Sequence, residues 1–128
     1  MGGFMTAAVT TVPIGANIAI LRGLIRRDPD SRVLPSGDEV LSLELSVRDA
    51  DRAADTVPVV WQNPPTSALK LAKGDDVVVI GRVRRRFFRS GGATSSRTEV
   101  HADTILSARS SARLRTVLVP MLETLSVD

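Results

Sequence analysis

Between Leu41 and Val47 the chain alternates strictly, with Leu41, Leu43, Leu45 and Val47 apolar and Ser42, Glu44 and Ser46 polar. A period of two is what a strand with one buried face requires. Thr98, Val100, Ala102, Thr104 and Leu106 alternate in the same way with Glu99, His101, Asp103 and Ile105, and predict another strand near the end of the chain. Asn17 to Arg27 is rich in Ile and Leu and predicts a long first strand that bends or bulges at Gly23. Val57 to Trp61 reads as a short third strand stopped by Asn63-Pro64-Pro65, and Val77 to Arg86 as a fourth carrying Gly81.

Turn chemistry separates these runs. Asp28-Pro29-Asp30 and Pro35-Ser36-Gly37-Asp38 predict two loops around Ser31 to Leu34, and Ser90-Gly91-Gly92 with the polar stretch to Ser96 predicts a flexible hairpin tip. Thr66 or Ser67 is placed to cap a short helix over Ala68, Leu69, Leu71 and Ala72, ended by Gly74. Past Ser107, Leu114, Val117, Leu118, Met121, Leu122 and Leu125 fall at helical spacing, and Pro120 is expected to kink or interrupt that helix. Such a segment either packs on the rest of the domain or mediates self-association. The expected organisation is a flexible arm over 1–13, one domain over 14–107 and an apolar C-terminal segment over 108–128.

Composition narrows the function. The 43% hydrophobic and 24% charged residues describe a folded chain. No apolar run is long enough to span a bilayer and the N-terminus lacks a basic region, so a cytoplasmic, nucleoid-associated protein is expected. Without Cys, with one His and without clustered carboxylates, no metal site, cofactor site or nucleophile-base pair can be assembled, so no enzyme is expected. The net charge of +3 hides an asymmetry, because residues 1–64 sum to −2 and residues 65–128 to +5. Fifteen of the 17 basic residues are Arg, which suits phosphate forks and base stacking, although a genome rich in Arg codons yields the same ratio.

The positive charge converges on Gly81-Arg82-Val83-Arg84-Arg85-Arg86-Phe87-Phe88-Arg89-Ser90. On a strand Arg82, Arg84, Arg86 and Phe88 share one face, and Val83, Arg85, Phe87 and Arg89 the other. Guanidiniums beside an aromatic ring are the equipment for holding a single nucleic-acid strand, phosphates on the cations and a base on the ring. One of the two Phe is expected in the core. Trp61 has two readings, stacking a base or filling the core, and periodicity does not separate them. Arg22, Arg26, Arg27 and Arg32, on or after the first strand, extend the basic track. The candidate binding residues are therefore Arg22, Arg26, Arg32, Trp61, Arg82, Arg84, Arg86, Phe88 and Arg89.

Taken in order, Asn17 to Leu24, Asp28-Pro29-Asp30, Pro35-Ser36-Gly37, Lys73-Gly74-Asp75, Gly81-Arg82-Val83-Arg84 and Thr98-Glu99-Val100 resemble the bacterial single-stranded DNA-binding proteins. The resemblance implies an all-β, five-stranded Greek-key OB barrel, with a short helix between strands three and four and a C-terminal helical segment. It also implies sequence-tolerant binding of single-stranded DNA, with RNA as a chemically similar ligand, a homotetramer or dimer, and a place in DNA replication, repair or recombination. Carried over by position, Phe88 and Trp61 fall at or beside base-stacking aromatics of the family, and Arg22, Arg84 and Arg86 at basic ones. The departures are the lack of aromatics from Arg48 to Thr56 and an ending, Leu125-Ser126-Val127-Asp128, without the family's linker and acidic tail. They predict a tail-less paralogue, or else a barrel that serves as a protein-interaction module.

Overall fold

The computed structural model describes residues 14–127, so the arm expected over 1–13 lies outside the described residues. Strand β1 (Ala19–Ile25) is followed by β2 (Asp30–Val33), β3 (Glu39–Val47), β4 (Asp55–Gln62), β5 (Asp76–Ser90), β6 (Ala93–Ser107) and one helix, α1 (Ser111–Leu122). The strands form one sheet in the order β1-β5-β6-β4-β3-β2, which β1 closes by also pairing with β3. All pairings are antiparallel except β4 with β6, which run parallel at Val59↔Val100 and Val60↔His101. This is the OB barrel that the strand order predicts.

Among the described residues six strands stand where five are expected, because the stretch between the two predicted loops forms a short strand of its own, β2. Leu24 and Ile25 of β1 face Ser46 and Leu45 of β3, and β2 resumes along the same neighbour with Asp30 opposite Ser42. Four residues, Arg26 to Pro29, thus correspond to two of β3, Leu43 and Glu44, before pairing is regained. Pro29, which has no N–H to offer a ladder, sits in that excursion. Gly23 does what a bending glycine is expected to do: a Cβ there would overlap the Ser46 carbonyl, so only Gly lets β1 turn from β5 onto β3. Gly81 is equally constrained, against the carbonyl of His101, at the register shift between Ile80 and Gly81.

The barrel is filled by the residues that alternation predicts. Leu41, Leu43 and Leu45 of β3 meet Val59 and Trp61 of β4, Val77 and Val79 of β5, and Val100 and Ile105 of β6. The opposite face of β5 and β6 carries a second apolar cluster, Val78, Ile80 and Leu106, covered by Leu114, Val117, Leu118 and Met121 of α1. The C-terminal helix therefore packs on the barrel. Pro120 does not interrupt it: although it has no N–H to donate to the Thr116 carbonyl, the chain stays helical to Leu122 before tightening into a 3₁₀ turn over Glu123–Leu125.

The helix expected between strands three and four is a single 3₁₀ turn, Thr66–Lys70, preceded by Pro65 and without a side-chain cap. The segment is too short to repay helix nucleation, and competing hydrogen bonds pull it straight. Asp75 Oδ2 accepts from the Ala72 N–H at 3.0 Å, Asp28 Oδ1 from the Lys73 N–H at 2.9 Å, and the Ile25 carbonyl from the Gly74 N–H at 2.8 Å. Ala68 is buried in the core and Leu71, just past the turn, packs against it, whereas Leu69 is exposed.

Candidate nucleic-acid interface

The β5–β6 hairpin is long because its turn is short. Gly91 and Gly92 both have positive φ, 60° and 83°, the conformation of a two-residue turn whose twist matches a hairpin. Ala93 to Ser96 therefore belong to β6, not to a flexible tip. The turn sets the register: Arg82, Arg84, Arg86 and Phe88 stand opposite His101, Glu99, Arg97 and Ser95. Strand alternation makes this the face that carries α1 further down, at Val78 and Ile80. Val83, Arg85, Phe87 and Arg89 stand on the other face, opposite Val100, Thr98, Ser96 and Thr94.

Every residue from Arg82 to Ser90 is exposed, so the hairpin runs past the core as a two-stranded ribbon. Phe87 is 65% and Phe88 39% exposed, and neither Phe fills the core as expected of one of them. The reason is geometric: the last barrel contacts of β5 are at Val83, which faces the core residue Val100 and whose backbone is bonded by the Asn17 side chain, and beyond it β5 has only β6 beside it. Each ring lies under a guanidinium of its own face, Arg85 at 5.7 Å from the Phe87 centroid and Arg86 at 5.5 Å from that of Phe88. Both are within the range of a cation–π contact.

Trp61 is elsewhere. It is 6% exposed and packed in the barrel cluster, so the stacking reading of Trp61 is corrected to a core residue. Odd-numbered positions of β4 point inward, Trp61 with Val59.

The basic candidates divide. Arg84 and Arg89 make no ion pair among the described residues, nor does Arg85, whose guanidinium bonds the Ser96 hydroxyl at 3.1 Å. Arg82 stands 4.0 Å from Asp103, and Arg86 binds Glu99 at 3.2 Å. Arg22 is engaged by Asp76 through two hydrogen bonds, of 3.2 and 2.8 Å, which hold the Asp76 carboxyl below the usual carboxylate range. It lies in a separate recess with Leu21, Gly23 and Ser46. Arg26 donates to the Thr56 hydroxyl at 3.2 Å.

Arg32 lines a shallow trough of about 620 Å³ that crosses β2, β3, β4 and β6 and reaches Arg86 at the root of the ribbon. Arg27 and Arg97 line it too, against Asp28, Asp30, Glu44 and Glu99. Arg27 hydrogen-bonds Glu44, lowering the Glu44 carboxyl from its ordinary value. Neither Arg97 nor Glu99 belongs to the residues expected at the site. Their place was legible only once the turn was assigned to Gly91-Gly92, which puts Arg97 opposite Arg86. Among the described residues no group of His, Asp or Glu could hold a metal ion, and no helix is long and apolar enough to cross a membrane.

Comparison with known proteins agrees with this architecture. The model of the Single-strand binding protein family matches residues 16–107. The chain is similar to the single-stranded DNA-binding protein of Oceanobacillus iheyensis, with 35% identity over 98 residues, covering 70% of this chain and 61% of that one. With the protein of the same name from Thermus aquaticus the identity is 34% over 93 residues, covering 67% of this chain and 35% of its relative. The crystal structure of the wild-type Thermus aquaticus protein aligns with a TM-score of 0.59 at 30% identity, over 72% of this chain and 40% of that chain. The chain thus spans less than two thirds of the length of these relatives. The family match covers the barrel, the ribbon and the trough together, and this chain belongs to the single-strand binding protein family.

Proposed function

We propose that this chain binds single-stranded DNA with little sequence preference, through the β5–β6 ribbon and the trough at its root. The observation that carries this reading is the pair of exposed Phe rings, each under a guanidinium, on a ribbon with unpaired Arg84, Arg85 and Arg89. A ring offers the same face to any base, and guanidiniums take phosphates whatever the sequence, so the chemistry is tolerant. In this reading Phe88 stacks a base, Arg82, Arg84, Arg86 and Arg89 hold the backbone, and Arg32 continues the track across the trough. Arg22 and Arg26 are peripheral to it. The relatives' names, which specify binding to single-stranded DNA and no reaction, support a binding protein over a catalyst.

Work in replication, repair or recombination, and assembly as a dimer or tetramer, belong to the same reading. RNA offers the same phosphates and bases, and competition between matched DNA and RNA oligomers ranks the two. The test is titration of fluorescent oligo-dT across a salt series. Binding whose logarithm falls linearly with log salt, and which weakens when Arg84 and Arg86 are replaced by Gln, supports the reading. A folded chain that binds no oligomer at low salt overturns it in favour of an OB barrel used as a protein-interaction module.

A further inference from the structure

Arg86 and Arg97 are direct cross-strand partners on the trough face of the ribbon. Like charges directly opposite each other in a ladder repel, and both cations are half exposed, so nothing in the strand pairing alone would hold them side by side. Glu99 does. Its carboxylate is 3% exposed and lies beneath them, with Oε1 at 3.2 Å from Arg86 Nε and Oε2 at 3.6 Å from Arg97 Nε. The ring of His101 approaches the same Oε1 at 3.1 Å. A buried carboxylate is tolerated only when so partnered. Here each arginine engages it through Nε, one on each oxygen, which leaves the terminal nitrogens of both guanidiniums available to another acceptor.

We propose that Glu99 is a positioning residue for phosphate recognition: it anchors Arg86 and Arg97 by their Nε edges and presents them as a two-guanidinium seat for the backbone of a bound strand. The carboxylate is shielded from solvent by the two cations it holds, so a phosphate meets guanidiniums first, and three charges leave one net positive charge at the seat. Without the anchor the two arginines separate and each must be ordered anew when the strand arrives. This inference rests on the single-strand reading above and deepens it.

The experiment is the salt series with oligo-dT on the wild type, E99Q, R86Q, and the E99Q/R86Q double variant. E99Q is expected to bind more weakly and to flatten the slope of log affinity against log salt by about 0.7 to 1.4, the loss of one to two phosphate contacts on a single strand. Removing Arg86 is expected to cost less in the E99Q background than in the wild type, which a merely structural role for Glu99 would not produce. Should E99Q fail to fold, R86Q and R97Q each leave the carboxylate one partner, and each is expected to lower the slope by about 0.7. Tighter binding by E99Q would show a carboxylate that competes with phosphate, and an unchanged slope in R86Q and R97Q would show that neither cation meets the backbone. Either result overturns the inference. Absence of salt-dependent binding by the wild type would instead remove the single-strand reading itself.

Discussion

At Phe88 and Trp61 the same chemical resource, an aromatic ring, is put to opposite uses. Phe88 lies on a ribbon with solvent on its outer side, whereas Trp61 is packed among Leu41, Val59 and Val100. Replacing Phe88 by Ala is expected to weaken oligo-dT binding by about 1–3 kcal/mol, while folding stability stays within about 1 kcal/mol of the wild type, as for other surface substitutions. Isothermal titration and a denaturant melt of the same preparation separate the two effects. Trp61→Ala is expected to destabilise by about 3–5 kcal/mol, read as a fall in the denaturation midpoint. Because Trp61 is buried, its emission should be that of an apolar site and change little when the wild type is saturated with oligo-dT. Strong quenching at saturation would place Trp61 against the strand and contradict the core assignment.

At the scale of elements, the molecule is a barrel with two additions, the ribbon and the helix. Gly81 sits at the register shift near the foot of the ribbon, and a Cβ there meets the His101 carbonyl. Gly81→Ala is expected to cost about 1–3 kcal/mol of stability through this overpacking, measurable as a lower thermal midpoint. Helix α1 turns Leu118 toward Val78, Ile80 and Leu106 and leaves Leu122 62% exposed. Leu118→Ser should therefore lower stability by about 1–3 kcal/mol, whereas Leu122→Ser should leave the thermal midpoint nearly unchanged. Sedimentation of Leu122→Ser tests whether the exposed side of α1 serves assembly: a shift to a smaller species assigns it that role, and an unchanged one confines α1 to covering the barrel.

For the whole molecule, charge sets the response to pH and salt. Three carboxyls are held below their ordinary values: Asp38 by hydrogen bonds from Asn63 and Ser36, Glu44 by Arg27, and Asp76 by Arg22. A carboxyl whose pKa is lower folded than unfolded contributes stability that is complete above the unfolded value and is lost as pH falls through the folded one. The thermal midpoint should accordingly be flat near neutrality and decline from about pH 5 toward about pH 3. Asp76→Asn should show a shallower decline, because one of the three groups no longer titrates. The two ion pairs, Arg27 with Glu44 and Arg22 with Asp76, are open enough to solvent that salt weakens them.

Much of the barrel was legible before any coordinates. The alternation from Leu41 to Val47 specifies β3 and its buried face, Gly23 announces the bend by which β1 reaches two neighbours, and the order of strands implies the closure. Such features follow from local period and from residues with unusual backbone freedom, and both are written along the chain. The clustering of Arg82 to Arg89 with two Phe was likewise visible, since the even and odd faces of a strand require no knowledge of the fold. Three-dimensional packing decided the rest. Whether Trp61 or the Phe pair entered the core depended on where the barrel closes, which is set by β1 meeting β3 and by the bulge beside Gly81. The reduction of the expected helix to one turn came with hydrogen bonds between segments distant in sequence, Asp28 with Lys73 and Ile25 with Gly74. The partnership of Glu99 with Arg86 and Arg97 arises from cross-strand register and burial together, and a one-dimensional pattern carries neither.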